Sequence, residues 1–261
     1  MILLSNDDGT FAPGLHAMAL ALSGMSPVVV SAPDREQSAT GTSITLRLPL
    51  RVRVADSIVS GVDTFAVDGS PGDSVIMGLE KLAPQAKMVF SGINSGQNLG
   101  DDVLISGTLG AALQGYLRGL PSVAMSLEAM QTINLQVAGN LAALLAKYIE
   151  CGRLPQDLFL NVNLPSNPLD QMRGIRITTL AHQTHTHSVQ EGTDGKREYY
   201  WLVRHKLERH YSDDSDVWAI EHGYISITPL HTVLFGNPVK GIDEALCREM
   251  WNDLFKMVKE I

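Results

Sequence analysis

The chain has 261 residues, 44% of them hydrophobic and 18% charged, which is enough to bury a full core. Its formal net charge of -8 and pI of about 5.4 argue against binding long nucleic acid, which needs a basic face. The two cysteines, Cys151 and Cys247, argue against a disulfide framework or a cysteine zinc site. Without an apolar run of about 18 residues or a signal-peptide pattern, we expect a cytoplasmic protein that does not span a membrane.

The first 130 residues alternate strand-like and helix-like segments. Short apolar runs predict four buried strands, at Ile2–Ser5, Pro27–Ala32, Lys87–Ser91 and Ser122–Ser126. Helices are predicted over Gly14–Ser23, Ser74–Leu82 and Gly107–Leu117. The alternating β-branched and basic residues of Ser43–Val54 predict an exposed strand or hairpin arm. Strands that alternate with helices imply a Rossmann-like α/β fold, with a doubly wound and mainly parallel sheet.

The second half continues the first, so we expect a single domain over residues 1–261, with a core at 1–130 and a completing extension at 131–261. A long helix is predicted at Ile133–Ile149 and a terminal amphipathic helix at Glu244–Val258. Extended segments are predicted at Phe159–Leu164, Ile175–Leu180, Tyr199–Val203 and Tyr224–Thr228. The polar stretch from His182 to Lys196 is expected to be an exposed loop, and the later β segments to form C-terminal arms.

Two adjacent carboxylates follow the first predicted strand, in the turn Asn6-Asp7-Asp8-Gly9. Desolvating such a pair is costly unless a positive charge meets it, and the first Lys or Arg in the sequence is Arg35. Carboxylate oxygens suit a hard divalent cation such as Mg²⁺ or Mn²⁺. The turn therefore indicates a metal site at the sheet edge, although Asp also shapes turns and caps helices.

Three more loops should reach the same edge, because parallel strands direct the loops at their carboxyl ends to one side. These are residues 33–41, residues 92–100 and the helix start Ser106-Gly107-Thr108. Glycines in the second loop allow the backbone to approach a ligand. The helix start offers free N–H groups and a positive helix end, which suit phosphate, although an ordinary N-cap has the same pattern. Together with the acidic pair, it favours a site for metal and phosphate.

Nine motifs in order carry a resemblance to a known family. They are SNDDG (Ser5–Gly9), APG (Ala12–Gly14), APDREQSATGTSIT (Ala32–Thr45), GSPGDSV (Gly69–Val75), SGINSGQNLGDDV (Ser91–Val103), SGTLGAA (Ser106–Ala112), NVNLP (Asn161–Pro165), YYWL (Tyr199–Leu202) and YISITPLH (Tyr224–His231). With these motifs the chain resembles the survival protein SurE family of metal-dependent nucleotidases and phosphatases. The segment from His182 to Lys196 departs from the family pattern.

The resemblance implies a phosphomonoesterase that hydrolyses nucleoside 5′-monophosphates, with 3′-monophosphates and short polyphosphate as further candidate substrates. It implies one divalent ion, Mg²⁺ or Mn²⁺, held by four oxygen-donating residues, Asp7, Asp8, Ser38 and Asn94. The family's phosphate-contacting positions fall on Asn98, Ser106, Gly107 and Thr108. The resemblance also implies a homodimer or homotetramer built through the C-terminal arms.

Asp7 and Asp8 are the candidate catalytic residues. Uncatalysed hydrolysis of a phosphate monoester is very slow, so the site must stabilise developing charge. Asp8, or as second choice Asp7, could accept a proton from an attacking water. No Ser–His pair or activated cysteine is evident, which favours direct attack by water. The sequence leaves a carboxylate or hydroxyl nucleophile open.

Other polar clusters are interpreted as structural. His182, His185 and His187 have metal-like spacing but lack acidic or cysteine partners, which favours an exposed loop over a zinc site. Asp101 and Asp102 are expected to orient the glycine loop or cap a helix. The acidic run Asp213, Asp214 and Asp216 is expected to be a solvated loop.

Two other classes of protein also have acidic residues after their first strand, and each is a rival interpretation of this sequence. A haloacid-dehalogenase-like phosphatase, which uses an aspartyl-phosphate, needs a D-x-D pair, whereas Asp7 and Asp8 are adjacent. A receiver-type signalling domain binds Mg²⁺ but needs a phospho-accepting Asp after its third strand, where this chain has Gly92 and Asn94.

Overall fold

A nine-stranded mixed sheet forms the centre of the structure, a computed structural model that describes residues 1–57 and 59–231. Its strands are β1 (Ile2–Ser5), β2 (Val28–Pro33), β3 (Val52–Val54), β4 (Asp63–Val67), β5 (Met88–Ser95), β6 (Ser122–Leu127), β7 (Phe159–Leu164), β8 (Gly174–Ile177) and β11 (Tyr224–Pro229). A separate hairpin, called the arm below, consists of β9 (His185–Thr193) and β10 (Glu198–Lys206). The helices are α1 (Pro13–Ser23), α2 (Pro71–Met77), α3 (Gly107–Tyr116), α4 (Thr132–Glu150) and α5 (Asp216–Glu221).

The strand order is β3-β4-β2-β1-β5-β6-β7-β11-β8. The six central strands, β4, β2, β1, β5, β6 and β7, are all parallel. At the two sides of this group, β3 pairs antiparallel with β4, and β11 pairs antiparallel with β7. The chain first builds outward from β1 through β2 and β4, then returns to the other side of β1 with β5. The expected α/β fold with a mainly parallel sheet is therefore confirmed, and the strand order reverses between β1 and β5.

Helices cover both faces of the sheet, because successive side chains of a strand point to opposite sides. Ile2 and Leu4 of β1 belong to one core with residues of α1 and α4, such as Leu15 and Leu145. Leu3 belongs to the core on the opposite face, with residues of α2 and α3. Burial on both faces explains why β1, β2 and β6 are short runs of wholly buried residues.

The segment Ser43–Val54 differs from its prediction, since only Val52–Val54 forms a strand. The preceding residues bond to the start of α2 instead of to a strand. Ser70 Oγ donates to the Ser43 carbonyl at 2.7 Å, and Thr45 N donates to Asp73 Oδ1 at 2.8 Å. A capping box between Ser70 and Asp73 also starts α2 at Pro71, earlier than the predicted Ser74.

The predicted loop from His182 to Lys196 is wrong, because β9 occupies most of it. This strand pairs antiparallel with β10, from His185↔Lys206 to Thr193↔Glu198. Both faces of the arm are largely exposed, so its sequence lacks the apolar–polar alternation of a half-buried strand.

The predicted solvated loop at Asp213, Asp214 and Asp216 is also wrong for its last member. Asp213 and Asp214 are exposed, but Asp216 is fully buried and begins α5. Strand β4 and helix α5 were not predicted. The predicted helix Glu244–Val258 lies outside the described residues, of which Met1–Leu230 form one compact unit. None of the described helices is long and apolar enough to cross a membrane.

Candidate active site

The turn after β1 lies where the strand order reverses. In an open α/β sheet, ligands bind at such a point, beyond the carboxyl ends of the strands. Asn6 Nδ2 donates to the Gly9 carbonyl at 3.0 Å, and Gly9 has a φ of 97°, which favours glycine. This closed turn leaves Asp7 only 4% exposed. The chain therefore buries a carboxylate at the place where the fold predicts a ligand.

Asp7 is held against the start of α3. Thr108 Oγ1 donates to Asp7 Oδ1 at 2.6 Å. A Cβ atom on Gly107 would lie 2.8 Å from Asp7 Cβ, so only glycine allows this approach. Burial raises the pKa of the Asp7 carboxyl to about 6, while the Thr108 hydrogen bond opposes the rise and the charge of Asp8 adds to it.

Asp8 faces the end of β5. Its Oδ2 accepts a hydrogen bond from Ser95 N at 3.2 Å, next to the predicted ligand Asn94. Burial raises the pKa of Asp8, the Ser95 hydrogen bond lowers it, and the nearby charge of Glu36 raises it further. The Asn94 side chain donates to the Gly96 carbonyl at 2.7 Å, which leaves its amide oxygen free to bind a ligand.

The loop after β2 brings Ser38 to the margin of this site. Gln37 N donates to the Asp7 carbonyl at 2.7 Å, which fixes the loop to the acidic turn. The Ser38 hydroxyl donates to Glu36 Oε1 at 2.7 Å, and Ser38 is exposed. Ser38 therefore bonds to the acid whose charge acts on Asp8, and it makes no hydrogen bond to either aspartate. Sequence reasoning missed Glu36, although it stands in a loop that was predicted to reach the same edge as Asp7 and Asp8.

The N-terminus of α3 forms the other wall. Ser106 is the N-cap, and its Oγ accepts a hydrogen bond from Leu109 N at 3.3 Å. Gly107 and Thr108 come next, and their backbone N–H groups lie in the first turn, where no intrahelical acceptor exists. All three residues are buried, at the positive end of a ten-residue helix. This wall can bind an anion next to the two carboxylates.

The predicted phosphate contact Asn98 is part of a buried amide network. Its Nδ2 donates to Ser126 Oγ at 2.8 Å, and its backbone N donates to Asn163 Oδ1 at 2.9 Å. Its carbonyl accepts from Asn161 Nδ2 at 2.8 Å and from Asn163 Nδ2 at 3.1 Å. One N–H of the Asn98 amide is thus free for a ligand. Two asparagines in one buried strand were the signal for this network, which sequence reasoning missed.

Two further carboxylates support the glycine loop from behind. Asp216 accepts hydrogen bonds from Gly100 N at 2.7 Å, Ala181 N at 3.0 Å and Val217 N at 2.8 Å, while burial raises its pKa. Asp102 forms an ion pair with Arg204 of the arm. Its carbonyl accepts from Ser106 N at 3.0 Å. Asp102 therefore connects the arm to the first residue of the anion-binding wall.

The chemistry of the site fits a hard cation. Among the ion pairs of the described residues, none involves Asp7 or Asp8. The buried side-chain oxygens of Ser5, Asn6 and Ser91, which lie around the end of β1, have no hydrogen-bond partner in this part of the chain. No group of three or more His, Cys, Asp and Glu residues at 1–57 or 59–231 could hold a metal. A cation here would therefore need neutral oxygen ligands besides the two carboxylates.

A family model described as "Survival protein SurE" matches residues 2–187 of this chain. The chain belongs to the SurE family. A 5′-nucleotidase SurE from Dehalococcoides mccartyi is 50% identical over 247 residues, which cover 94% of this chain and 93% of that protein. One from Syntrophotalea carbinolica is 43% identical and covers 88% of this chain and 91% of its own length. The crystal structure of the SurE protein from Aquifex aeolicus superposes with a TM-score of 0.76 at 35% identity, covering 90% and 94% of the two chains.

Proposed function

We propose that this SurE-family chain is a metal-dependent 5′-nucleotidase, a phosphomonoesterase that converts nucleoside monophosphates to nucleoside and phosphate. The observation that supports it most is the contact between the buried carboxylate of Asp7 and the first turn of α3 at Thr108. Two carboxylates that could hold a cation would there adjoin backbone N–H groups that could hold an anion, as phosphoryl transfer requires. The names of its relatives support the same activity.

Four residues would hold one divalent cation, Mg²⁺ or Mn²⁺: Asp7, Asp8, Ser38 and Asn94. All four offer oxygen ligands, as a hard cation prefers. When bound, the cation supplies positive charge that stabilises the transferring phosphoryl group and lowers the pKa of a water. For Ser38 this role requires that its hydroxyl leave Glu36, to which it donates in the structure.

The first turn of α3 would hold the phosphate. Ser106 and the backbone N–H groups of Gly107 and Thr108 would donate to the phosphate oxygens, and the second amide N–H of Asn98 would reach another. These donors are fixed by buried hydrogen bonds before a substrate arrives, so they need little reorganisation in the transition state. Asp216 and Asp102 would keep the wall in this position.

Asp8 would accept the proton of the attacking water, because it is half-buried whereas Asp7 is enclosed and already accepts from Thr108. Among the described residues, no cysteine lies in the site, and we propose direct attack by water without a covalent intermediate. A chiral thiophosphate substrate in isotopically labelled water tests this step. Inversion at phosphorus is expected, and net retention would require a phosphoryl-enzyme.

The arm would join protomers into a homodimer or homotetramer. Trp201 is 65% exposed and Leu202 80% exposed in a two-stranded sheet, which is marginal in water without further packing. Light scattering at working concentration tests this assembly, and a monomer would contradict it.

We further propose that residues 1–261 act as one domain, and that the protein works in the cytoplasm.

A substrate panel tests the proposed activity. Phosphate release is measured from nucleoside 5′- and 3′-monophosphates and from short polyphosphate, each with Mg²⁺, with Mn²⁺ and with a chelator. The 5′-monophosphates should be hydrolysed fastest, and chelation should abolish turnover. Equal turnover in the chelated enzyme would overturn metal dependence, and release from polyphosphate alone would overturn the substrate class.

A further inference from the structure

A cavity of about 580 Å³ lies beside the site, between the loop that follows β2 and the turn that precedes α2. Its size is within the range of about 300–1,000 Å³ typical of small-molecule sites. Its lining includes Arg35, Gln37, Leu48, Pro49, Arg51 and Asp68. None of them takes part in the metal and phosphate roles described above.

The cavity adjoins the acidic turn directly. Gln37 lines the cavity, and its backbone N–H donates to the Asp7 carbonyl at 2.7 Å. Arg35 also lines it, and the Arg35 carbonyl carbon lies 3.4 Å from where a Cβ on Gly9 would stand. A ligand with its phosphate at α3 can therefore extend into the cavity by passing Gln37.

The cavity wall is fixed in place although it contains little regular structure. Ser43 and Thr45 are bound to the start of α2, as described above. At the other end, Arg51 N donates to Asp68 Oδ1, and Asp68 N donates to the Arg51 carbonyl at 3.0 Å. A wall held at both ends gives a preformed cavity, which reduces the entropic cost of binding.

The lining suits a flat aromatic ring attached to a hydroxylated sugar. Leu48, which is 74% exposed, and Pro49 provide an apolar wall. The guanidinium of Arg51 can stack on an aromatic ring. Asp68 has a lowered pKa, chiefly because it accepts from Arg51 N, so it stays ionised and has acceptor positions left for hydroxyl groups.

We propose that this cavity binds the nucleoside part of the substrate. The base packs on Leu48 and Pro49 with Arg51 stacked over it, and sugar hydroxyls donate to Asp68. This inference rests on the proposed function, since it assigns the part of the substrate beyond the phosphate. It explains why Leu48, in an otherwise irregular loop, keeps its side chain exposed beside the proposed phosphate site.

Two variants with matched controls test the cavity. Leu48→Ala and Arg51→Ala alter its lining, while Leu46→Ala and Arg47→Ala change exposed residues of the same loop that lie outside it. Hydrolysis of adenosine 5′-monophosphate is compared with that of glycerol 2-phosphate, which has no base. Each cavity variant should raise KM for the nucleotide about tenfold, the loss of one stacking or packing contact. KM for glycerol 2-phosphate should stay unchanged, as should both values in the controls.

Equal losses on both substrates, or no loss on the nucleotide, would overturn the cavity assignment while leaving the proposed function intact. If the wild-type chain hydrolyses neither ester, the proposed function fails. In that case, calorimetric measurement of adenosine binding still tests whether the cavity binds a nucleoside. Weaker binding to Leu48→Ala and Arg51→Ala than to the controls supports the assignment, and no binding to the wild type overturns it.

Discussion

The carboxyl edge of the central sheet and the arm differ in whether their side chains are buried against partners or exposed to water. At the edge, Asp7 and Thr108 are buried and bonded to each other, and the loops around them are held by backbone hydrogen bonds. In the arm, Trp201 and Leu202 are in water on a sheet of only two strands. Within the described residues, the chain therefore completes the wall at the sheet edge but leaves the arm without an apolar partner. Changes at the edge should alter chemistry and stability, whereas changes in the arm should alter assembly.

The largest effect is expected for Asp8→Asn at the edge. This change removes a charge but little volume, so the fold should remain while turnover falls by about a thousandfold, as for loss of one preorganised electrostatic group. Phosphate release by this variant is compared with that of the control Asp157→Asn, which alters an exposed carboxylate before β7. Unchanged turnover in Asp8→Asn with metal present would show that the edge is not the site.

The next largest effect is expected for Asp216→Ala, behind the edge. Its carboxylate accepts three backbone N–H groups, so its removal leaves buried donors unpaired and should cost about 3 kcal/mol of unfolding free energy. Urea unfolding measures the loss. Asp213→Ala, an exposed acid three residues earlier, should change stability by no more than about 0.5 kcal/mol. A similar small change in Asp216→Ala would contradict its supporting role.

Asp7→Asn should stabilise the metal-free protein, although it removes a carboxylate from the proposed cation site. The folded pKa of Asp7, about 6, lies above its ordinary value of 3.8, so the folded state disfavours the carboxylate. Each pKa unit corresponds to about 1.4 kcal/mol, which gives a gain on the order of 3 kcal/mol above pH 6. The gain should shrink as pH falls from 6 towards 3.8, because the folded state then binds a proton and no longer buries a charge, and it should vanish below 3.8, where both states are protonated. Thermal unfolding of the chelated proteins across this pH range measures it, and a less stable variant at pH 8 would contradict the account.

The smallest effect on a single chain is expected in the arm. Leu202→Ser replaces a side chain that is 80% exposed, so the unfolding free energy should change by about 0.5 kcal/mol or less. The molar mass in light scattering should nevertheless decrease, because an apolar contact between protomers is lost. Leu20→Ser, at a 60% exposed residue of α1, serves as the control and should leave the mass unchanged. The same mass for both variants would mean that the arm does not join protomers.

The edge could be predicted from sequence because its signals are local. A buried apolar run such as Ile2–Ser5 identifies a strand, and the parallel arrangement directs the residues after each strand to one side. Asp7 and Thr108 therefore could be placed together although 101 positions separate them. The contacts of Ser38 could not be predicted, since they depend on the course of an irregular loop.

The arm and the supporting residues could not be predicted because their signals are not local. Strand β9 is polar on both faces, and only its pairing with β10 makes it a strand. Asp216 resembles its exposed neighbours in sequence, and its burial follows from the approach of Gly100 and Ala181. The cavity beside Gln37 likewise arises from hydrogen bonds between the segment before β3 and the start of α2.

A crystal structure with Mn²⁺ and a non-hydrolysable nucleoside monophosphate analogue would test the central claim most directly, by anomalous scattering. The account predicts one anomalous peak bonded to both Asp7 and Asp8, with the phosphate on the N–H groups that begin α3 at Gly107. A peak that touches neither carboxylate, or a phosphate bound away from α3, would contradict it.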